Sequence, residues 1–109
     1  MQRNPMFGFE KGSATINSNM VSSGGVKWYK KDNLVIVHGY IIVNNNYSNP
    51  NEGALVTGLP TPQNTFSYIV PIESSTSARV AIRESGSMVA WYSTLPMNKD
   101  IRVDIVYMI

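Results

Sequence analysis

Residues 28–46 have the most unusual hydrophobic pattern in the chain, in the sequence WYKKDNLVIVHGYIIVNNN. A β-strand in a small two-sheet protein normally alternates apolar and polar residues, because one face contacts the core and the other contacts water. Residues 34–43 are instead apolar on both faces. One face carries Leu34, Ile36, His38, Tyr40 and Ile42, and the other carries Val35, Val37, Gly39, Ile41 and Val43. This pattern predicts a strand that is covered on both sides.

The remaining hydrophobic pattern predicts a chain of short strands. β-Branched and aromatic residues recur at spacing two, and Gly, Pro and Asn interrupt them about every 8–12 residues, as in sandwiches and barrels. We predict an all-β fold: one antiparallel β-sandwich domain of jelly-roll type over residues 13–109, with about eight strands, after an irregular lead-in at residues 1–12. The predicted strands cover residues 13–21, 26–30, 34–43, 54–58, 65–72, 77–84, 88–93 and 101–109.

The second apolar face predicts self-association. Leaving its four aliphatic side chains in water would forgo about 6–12 kcal/mol, at about 1.5–3 kcal/mol each, which is comparable with the whole stability of a small domain. The cover is either loops of the same chain or another copy of it. Because the loops are rich in Asn and Ser, we expect another copy. The predicted oligomer interface consists of Val35, Val37, Ile41, Val43, Val106 and Met108.

Composition narrows the classes of function. The 109 residues include no cysteine, which excludes disulfides, cysteine-ligated zinc and thiol catalysis. Charged residues make up 15% of the chain and the formal net charge is +2, which is too little and too scattered to indicate nucleic acid or an anionic membrane. The longest apolar run, about ten residues, is far shorter than a membrane span. We therefore expect no nucleic-acid partner and no membrane insertion.

The sequence contains few of the residue arrangements that catalysis requires. Its one histidine, His38, lies inside the apolar strand, where a hydrogen-bonded interior or subunit-contact role is expected. The acidic residues are spread singly, so a carboxylate pair that cleaves sugars would have to converge from distant loops. We find no cluster of metal ligands and no glycine-rich phosphate loop. We predict that the chain is not an enzyme and takes neither a metal nor a cofactor.

Binding remains, and aromatic residues beside loops are the candidates for it. Aromatic faces that pack on sugar CH groups, with amides that bond hydroxyls, are the usual chemistry of saccharide recognition. We assign a saccharide site to Tyr47, Asn45, Trp91 and Tyr92, and expect Tyr47, in the Asn-rich loop, to be the best exposed. The alternative is that Trp28 and Trp91 only fill the core, since neighbouring residues of a strand point to opposite faces.

The order of short motifs resembles the C-terminal head modules of bacteriophage tail fibres, tail spikes and baseplate receptor-binding proteins. In that family a Tyr-x-x-x-Asn-Leu-Val strand start is followed by a Gly-Leu-Pro-x-Pro turn and then by a strand after a glycine turn. Here the corresponding residues are Tyr29, the triplet 33–35, the turn 58–62 and Gly86. The similarity extends over residues 13–109.

The resemblance implies a β-sandwich or jelly-roll head that assembles as a homotrimer on a virion. It would be made in the cytoplasm of a bacterial host and act outside the cell, contacting host surface polysaccharide and other phage tail or baseplate proteins. Saccharide sites vary within the family and often lie between subunits, so no binding residue carries over. A structural or trimerisation protein of the virion, with no ligand, is the alternative.

Overall fold

The computed structural model describes residues 8–109 and confirms the all-β prediction. The only helical element in this part is a short 3₁₀ helix, Pro50–Glu52. β-Strands make up most of the remaining described residues. Their bounds are β1 Glu10–Ser13, β2 Thr15–Ile16, β3 Val21–Lys31, β4 Leu34–Val43, β5 Val56–Thr57, β6 Phe66–Ile72, β7 Thr76–Ile82, β8 Met88–Ala90 and β9 Asp100–Met108.

All nine strands belong to one antiparallel sheet that almost closes on itself, rather than to two separate sheets. Their order across the sheet is β1-β3-β4-β9-β6-β7-β8-β5-β2. The two outermost strands, β1 and β2, are separated along the chain only by Ala14, whose N–H donates to the carbonyl of Val26 at 2.9 Å. Residues 10–16 therefore join both ends of the sheet, β1 to β3 and β2 to β5.

The predicted lead-in at residues 1–12 is only partly testable. Residues 1–7 lie outside the described part of the chain, and residues 10–12 belong to β1 rather than to an irregular segment. β1 extends into this segment because Gly12 can pair closely with Trp28 of β3. A Cβ atom at Gly12 would come within 2.5 Å of the Trp28 ring, so glycine at this position lets the strand lie flat on the indole.

The long hairpin of β3 and β4 organises one half of the sheet. Lys31 pairs with Leu34 across the turn, where Asp32 adopts a left-handed φ of 53°, a conformation that Asp tolerates. β9 pairs with β4 along nearly its whole length, from Ile42 with Asp100 to Leu34 with Met108. These three strands form the most continuous ladder of the molecule.

The sheet opens between β9 and β6. The two strands share a single pair, Ile72 with Ile101, next to a bond from the Glu73 N–H to the Asp100 carbonyl at 3.0 Å. The next residue of β6 is Pro71, which has no N–H to donate and so ends the ladder. Further along, the Phe66 and Tyr107 rings span the gap with their centroids 5.0 Å apart.

The core lies inside this nearly closed sheet. Alternate residues of β9 point inward and are buried, whereas the residues between them are exposed, as strand geometry requires. Tyr107 is 7% exposed, and its hydroxyl donates to the carbonyl of Pro60 at 2.7 Å. Burial raises the pKa of Tyr107 to about 12. The end of β9 is thus held by both apolar packing and a hydrogen bond.

Candidate functional site

The four residues assigned to a saccharide site lie in two loops. Asn45 and Tyr47 belong to the segment that follows β4, and Trp91 and Tyr92 come directly after β8. We call residues 44–53 and 91–99 together the loop surface. Both segments lack regular strands because Asn, Pro and Ser favour local turns over a ladder.

The structure joins these two loops. Tyr47 and Leu95 pair in antiparallel fashion, with N–H to carbonyl distances of 3.2 and 2.7 Å. The side-chain oxygen of Asn46 accepts from the Met97 N–H at 2.8 Å, and the Asn98 N–H donates to the carbonyl of Val43 at 3.1 Å. The 44–53 and 91–99 segments therefore form one surface.

Side-chain hydrogen bonds also fix the first loop internally. Asn49 caps the 3₁₀ helix, and Glu52 closes the capping box by accepting from the N–H groups of Ser48 and Asn49 at 2.8 and 2.7 Å. The Tyr47 hydroxyl donates to the side-chain oxygen of Asn44 at 2.6 Å. A loop with this many internal bonds needs little further ordering when it binds a ligand.

The most exposed aromatic residue of the loop surface is Tyr92, not Tyr47. Tyr92 is 69% exposed, and its ring meets that of Trp91 edge to face, with centroids 5.0 Å apart. Its φ of 53° is left-handed, a conformation that non-glycine residues adopt rarely and often at binding sites. The prediction for Tyr47 is wrong in this respect, because its ring is half-buried and packs against the core.

The structure adds a residue that the sequence analysis missed. Met97 is 45% exposed and lies on the loop surface through its bond to Asn46. The preceding Pro96, which favours a loop, was the available signal in the sequence. Trp28, by contrast, packs against the core, in agreement with the structural role considered for it. Trp91 is half-buried, so its packing supports Tyr92 while part of its ring stays accessible.

The loop surface is almost free of charge. Its only ionisable side chains besides the tyrosines are Glu52 and Lys99. The Glu52 carboxylate is already occupied by the backbone of its own loop. What remains for a ligand is an aromatic face, a thioether and several amides and hydroxyls, which suits a neutral polar ligand with apolar CH faces.

Four of the six predicted interface residues are misassigned. Val35, Val37, Ile41 and Val43 have no exposed surface in a single chain, because the sheet curves toward that side of β4 and encloses it. They form the chain's own core and cannot contact another copy. The prediction failed because both faces of β4 are apolar, which leaves the sequence without a sign of which one points inward.

The opposite side of β4 is the accessible one, and Val106 and Met108 lie beside it. They are 51% and 65% exposed. His38 also lies on this side, not in the interior, and its Nδ1 atom is 2.5 Å from Oδ1 of Asp104. The side chains of His38 and Asp104 are 63% and 54% exposed, so this pair is a surface contact.

Within residues 8–109, no three His, Asp or Glu side chains come together in a group that could hold a metal ion. In the same residues, no helix is long and apolar enough to cross a membrane. The sequence as a whole matches no family model and no curated protein. The resemblance to phage receptor-binding heads therefore stays a prediction that rests on the motifs alone.

Proposed function

We propose that this chain is a non-enzymatic binding module of a bacteriophage appendage, a tail fibre or a baseplate, which recognises host surface saccharide. The observation that carries the proposal is the loop surface, in which two hydrogen-bonded, nearly uncharged loops present Tyr92 with 69% of its surface exposed. The order of the sequence motifs supports the phage context. The virion is then its place of action, with other tail or baseplate proteins as partners.

The chemistry of the loop surface supports a saccharide in particular. A sugar ring has one or two faces of CH groups, which pack on an aromatic ring, and a rim of hydroxyls, which bond to amides. Tyr92 supplies the ring, Trp91 supports it from the side, and Asn45 is an exposed amide of the loop joined to theirs. A charged ligand would find few opposite charges here.

A polysaccharide array tests the proposal. Labelled protein is applied to bacterial O-antigens, teichoic acids and exopolysaccharides, and binders are then measured by titration calorimetry. We expect wild-type binding, and Tyr92→Ala should weaken it at least about tenfold, or about 1.4 kcal/mol. Tyr68→Ala is the matched control, because Tyr68 is also accessible, at 37%, but lies on β6. Failure of the wild-type protein to bind any saccharide, or equal losses in both variants, would contradict the proposal.

A second candidate function is supported by a different surface. Val106 and Met108 expose apolar side chains on β9. Saccharide binding by the loop surface does not require these two side chains. They support a module that self-associates, as in the homotrimer that the phage resemblance implies, and that contributes to virion structure without a ligand. Such a module would form a stable oligomer, would ignore every saccharide on the array, and would keep phage infectivity unchanged in the Tyr92→Ala variant.

A further inference from the structure

The outward-facing side of β3, β4 and β9 is a continuous surface with a regular layout. We call it the outer face. Antiparallel pairing places residues of the three strands side by side in rows. Moving along β4, the rows are Gly25–Tyr40–Arg102, Lys27–His38–Asp104, Tyr29–Ile36–Val106 and Lys31–Leu34–Met108.

The middle of the outer face is apolar and open. Tyr29, Ile36 and Val106 line a groove of about 390 Å³ together with the His38–Asp104 pair. A second cleft of about 340 Å³ follows beside Leu34 and Met108. Large apolar side chains exposed together on a sheet typically mark a protein contact.

The charges of the outer face are separated to its two sides. The β3 side carries Lys27 and Lys31, and Lys11 of β1 extends it, level with Tyr29. The β9 side carries Asp104 and Asp100. Arg102 also lies there, 3.4 Å from Asp100 and with its guanidinium 5.7 Å from the Tyr40 ring centre. One side is therefore basic, and the other has more acid than base.

We propose that the outer face packs against a second copy of the chain, related by a rotation axis that runs parallel to β4. Such a rotation leaves the position of every residue along the axis unchanged, so each row faces the same row of the other copy. It also brings the β3 side of one copy opposite the β9 side of the next. Lys27 then meets Asp104 of the other copy, and Tyr29 meets Val106. The large Arg102 side chain meets the level of Gly25, where there is no side chain.

This rotation pairs opposite charges at the level of Lys27 and Asp104 and places the large Arg102 opposite glycine at the level of Gly25, and it puts Ile36 near the axis. The same pairing arises in a two-fold dimer and in a three-fold ring, since both bring the two sides of the face together. The inference rests on the proposed self-association and is independent of the saccharide site. A nucleic acid would be repelled by Asp104, and an apolar partner would leave Lys27 without a counter-charge.

Substitution of one outward residue tests the face. Val106→Asp should convert the wild-type oligomer to monomer, as measured by light scattering coupled to size exclusion. Ile69→Asp is the matched control, since Ile69 is 59% exposed but lies on β6, and its mass should equal that of the wild type. A monomeric wild type at submillimolar concentration would overturn both the oligomer and this face. A Val106→Asp variant that keeps the wild-type mass would overturn the face alone.

Cysteine cross-linking tests the axis. The chain has no cysteine, so Lys27→Cys combined with Asp104→Cys introduces the only thiols. Within one chain β4 separates these positions by two strand spacings, about 9–10 Å, beyond the reach of about 7 Å for a disulfide. Mild oxidation should give covalent dimers for a two-fold axis, or a ladder ending at trimer for a three-fold axis. The control pair Lys27→Cys with Arg79→Cys, and both single variants, should stay uncross-linked. A double variant that cross-links no more than these controls would overturn the proposal.

Discussion

The loop surface and the outer face both expose apolar side chains, but the chain builds them in different ways. On the loop surface, side chains hold the backbone: Asn46, Asn49 and Glu52 each bond N–H groups that no strand would pair. On the outer face the backbone ladder is continuous from Ser23–Lys31 of β3 through β4 to β9, and the side chains bond to one another, as His38 does to Asp104, rather than to the backbone.

The difference indicates what each surface suits. The loop surface has few charges and an irregular relief with one prominent ring, Tyr92, which fits a small hydrated ligand. The outer face spans three paired strands, with lysines on one side and aspartates on the other, which fits another folded protein. Two surfaces of one domain, of only 109 residues, therefore carry two separate proposals, one for ligand binding and one for assembly.

The largest expected effect concerns the ladder under the outer face. A Cβ atom at Gly39 of β4 would lie 2.0 Å from the carbonyl oxygen of Gly25, whereas a Cβ atom at Gly25 meets nothing within 4 Å. Gly39→Ala should therefore lower the free energy of unfolding by about 3 kcal/mol or more, because the backbone has to move. Gly25→Ala should change it by less than about 0.5 kcal/mol.

Urea titration followed by tryptophan fluorescence measures both glycine variants in the monomeric Val106→Asp background, because Gly25 lies in the proposed interface and assembly adds to stability. Equal losses in the two variants would mean that β3 and β4 can separate freely at this point. The outer face would then be less rigid than its ladder indicates, and the contrast with the loop surface would weaken.

The second-largest expected effect is a loss of stability at high pH. The pKa of Tyr107 is raised to about 12 by burial, compared with about 10 in an unfolded chain. The stability that comes from keeping the Tyr107 hydroxyl protonated is fully present below pH 10. As the pH rises toward 12, the free energy of unfolding falls by about 1.4 kcal/mol per pH unit. Tyr107→Phe should remove this part of the pH dependence of unfolding. Identical slopes for the two proteins between pH 10 and 12 would show that the hydroxyl is not protected.

A smaller effect is expected where the loops join. Asn46→Ala removes the acceptor of the Met97 N–H and should cost about 0.5–1.5 kcal/mol of stability. Saccharide affinity should fall with it, while the oligomer mass should not change. Asn51→Ala is the control, since the bond that Asn51 makes to Asn49 comes from its backbone N–H, which alanine keeps. A change in oligomer mass for Asn46→Ala would mean that the two surfaces are coupled.

The smallest effect is expected at the exposed His38–Asp104 contact. Because both side chains are more than half exposed, His38→Gln should change the stability of the isolated protomer by less than about 1 kcal/mol. Chemical denaturation of the monomeric Val106→Asp background isolates this effect. A larger loss there would show that the pair holds β4 to β9 rather than lying on the surface.

Much of the fold could be predicted because it follows from local pattern. The strands at 34–43 and 101–109 were predicted within one residue of β4 and β9, since each alternates or is continuously apolar. β1 was missed because Glu10, Lys11 and Gly12 carry no apolar signal. The sequence also could not predict which face of β4 points inward, since that depends on how the whole sheet curves.

The candidate site was predictable in its residue types but not in its geometry. Asn-rich and aromatic loop residues were identified from composition, yet the pairing of Tyr47 with Leu95 joins positions far apart in sequence. That pairing buries part of Tyr47 and leaves Tyr92 as the exposed ring. No local pattern distinguishes these two tyrosines, because the difference arises only when the loops meet.

The position of β9 also has a consequence for how the protein is made. Although β9 comes last of the nine strands along the chain, it lies between β4 and β6 in the sheet. During synthesis, the hairpin of β3 and β4 and the hairpin of β6 and β7 emerge first, and the β4 and β6 edges between which β9 will lie stay unpaired. The native sheet can form only after residue 108 has left the ribosome, and such late, long-range pairing is slow. The nascent chain therefore passes through a stage with an unpaired β4 edge, when chaperones would be most useful.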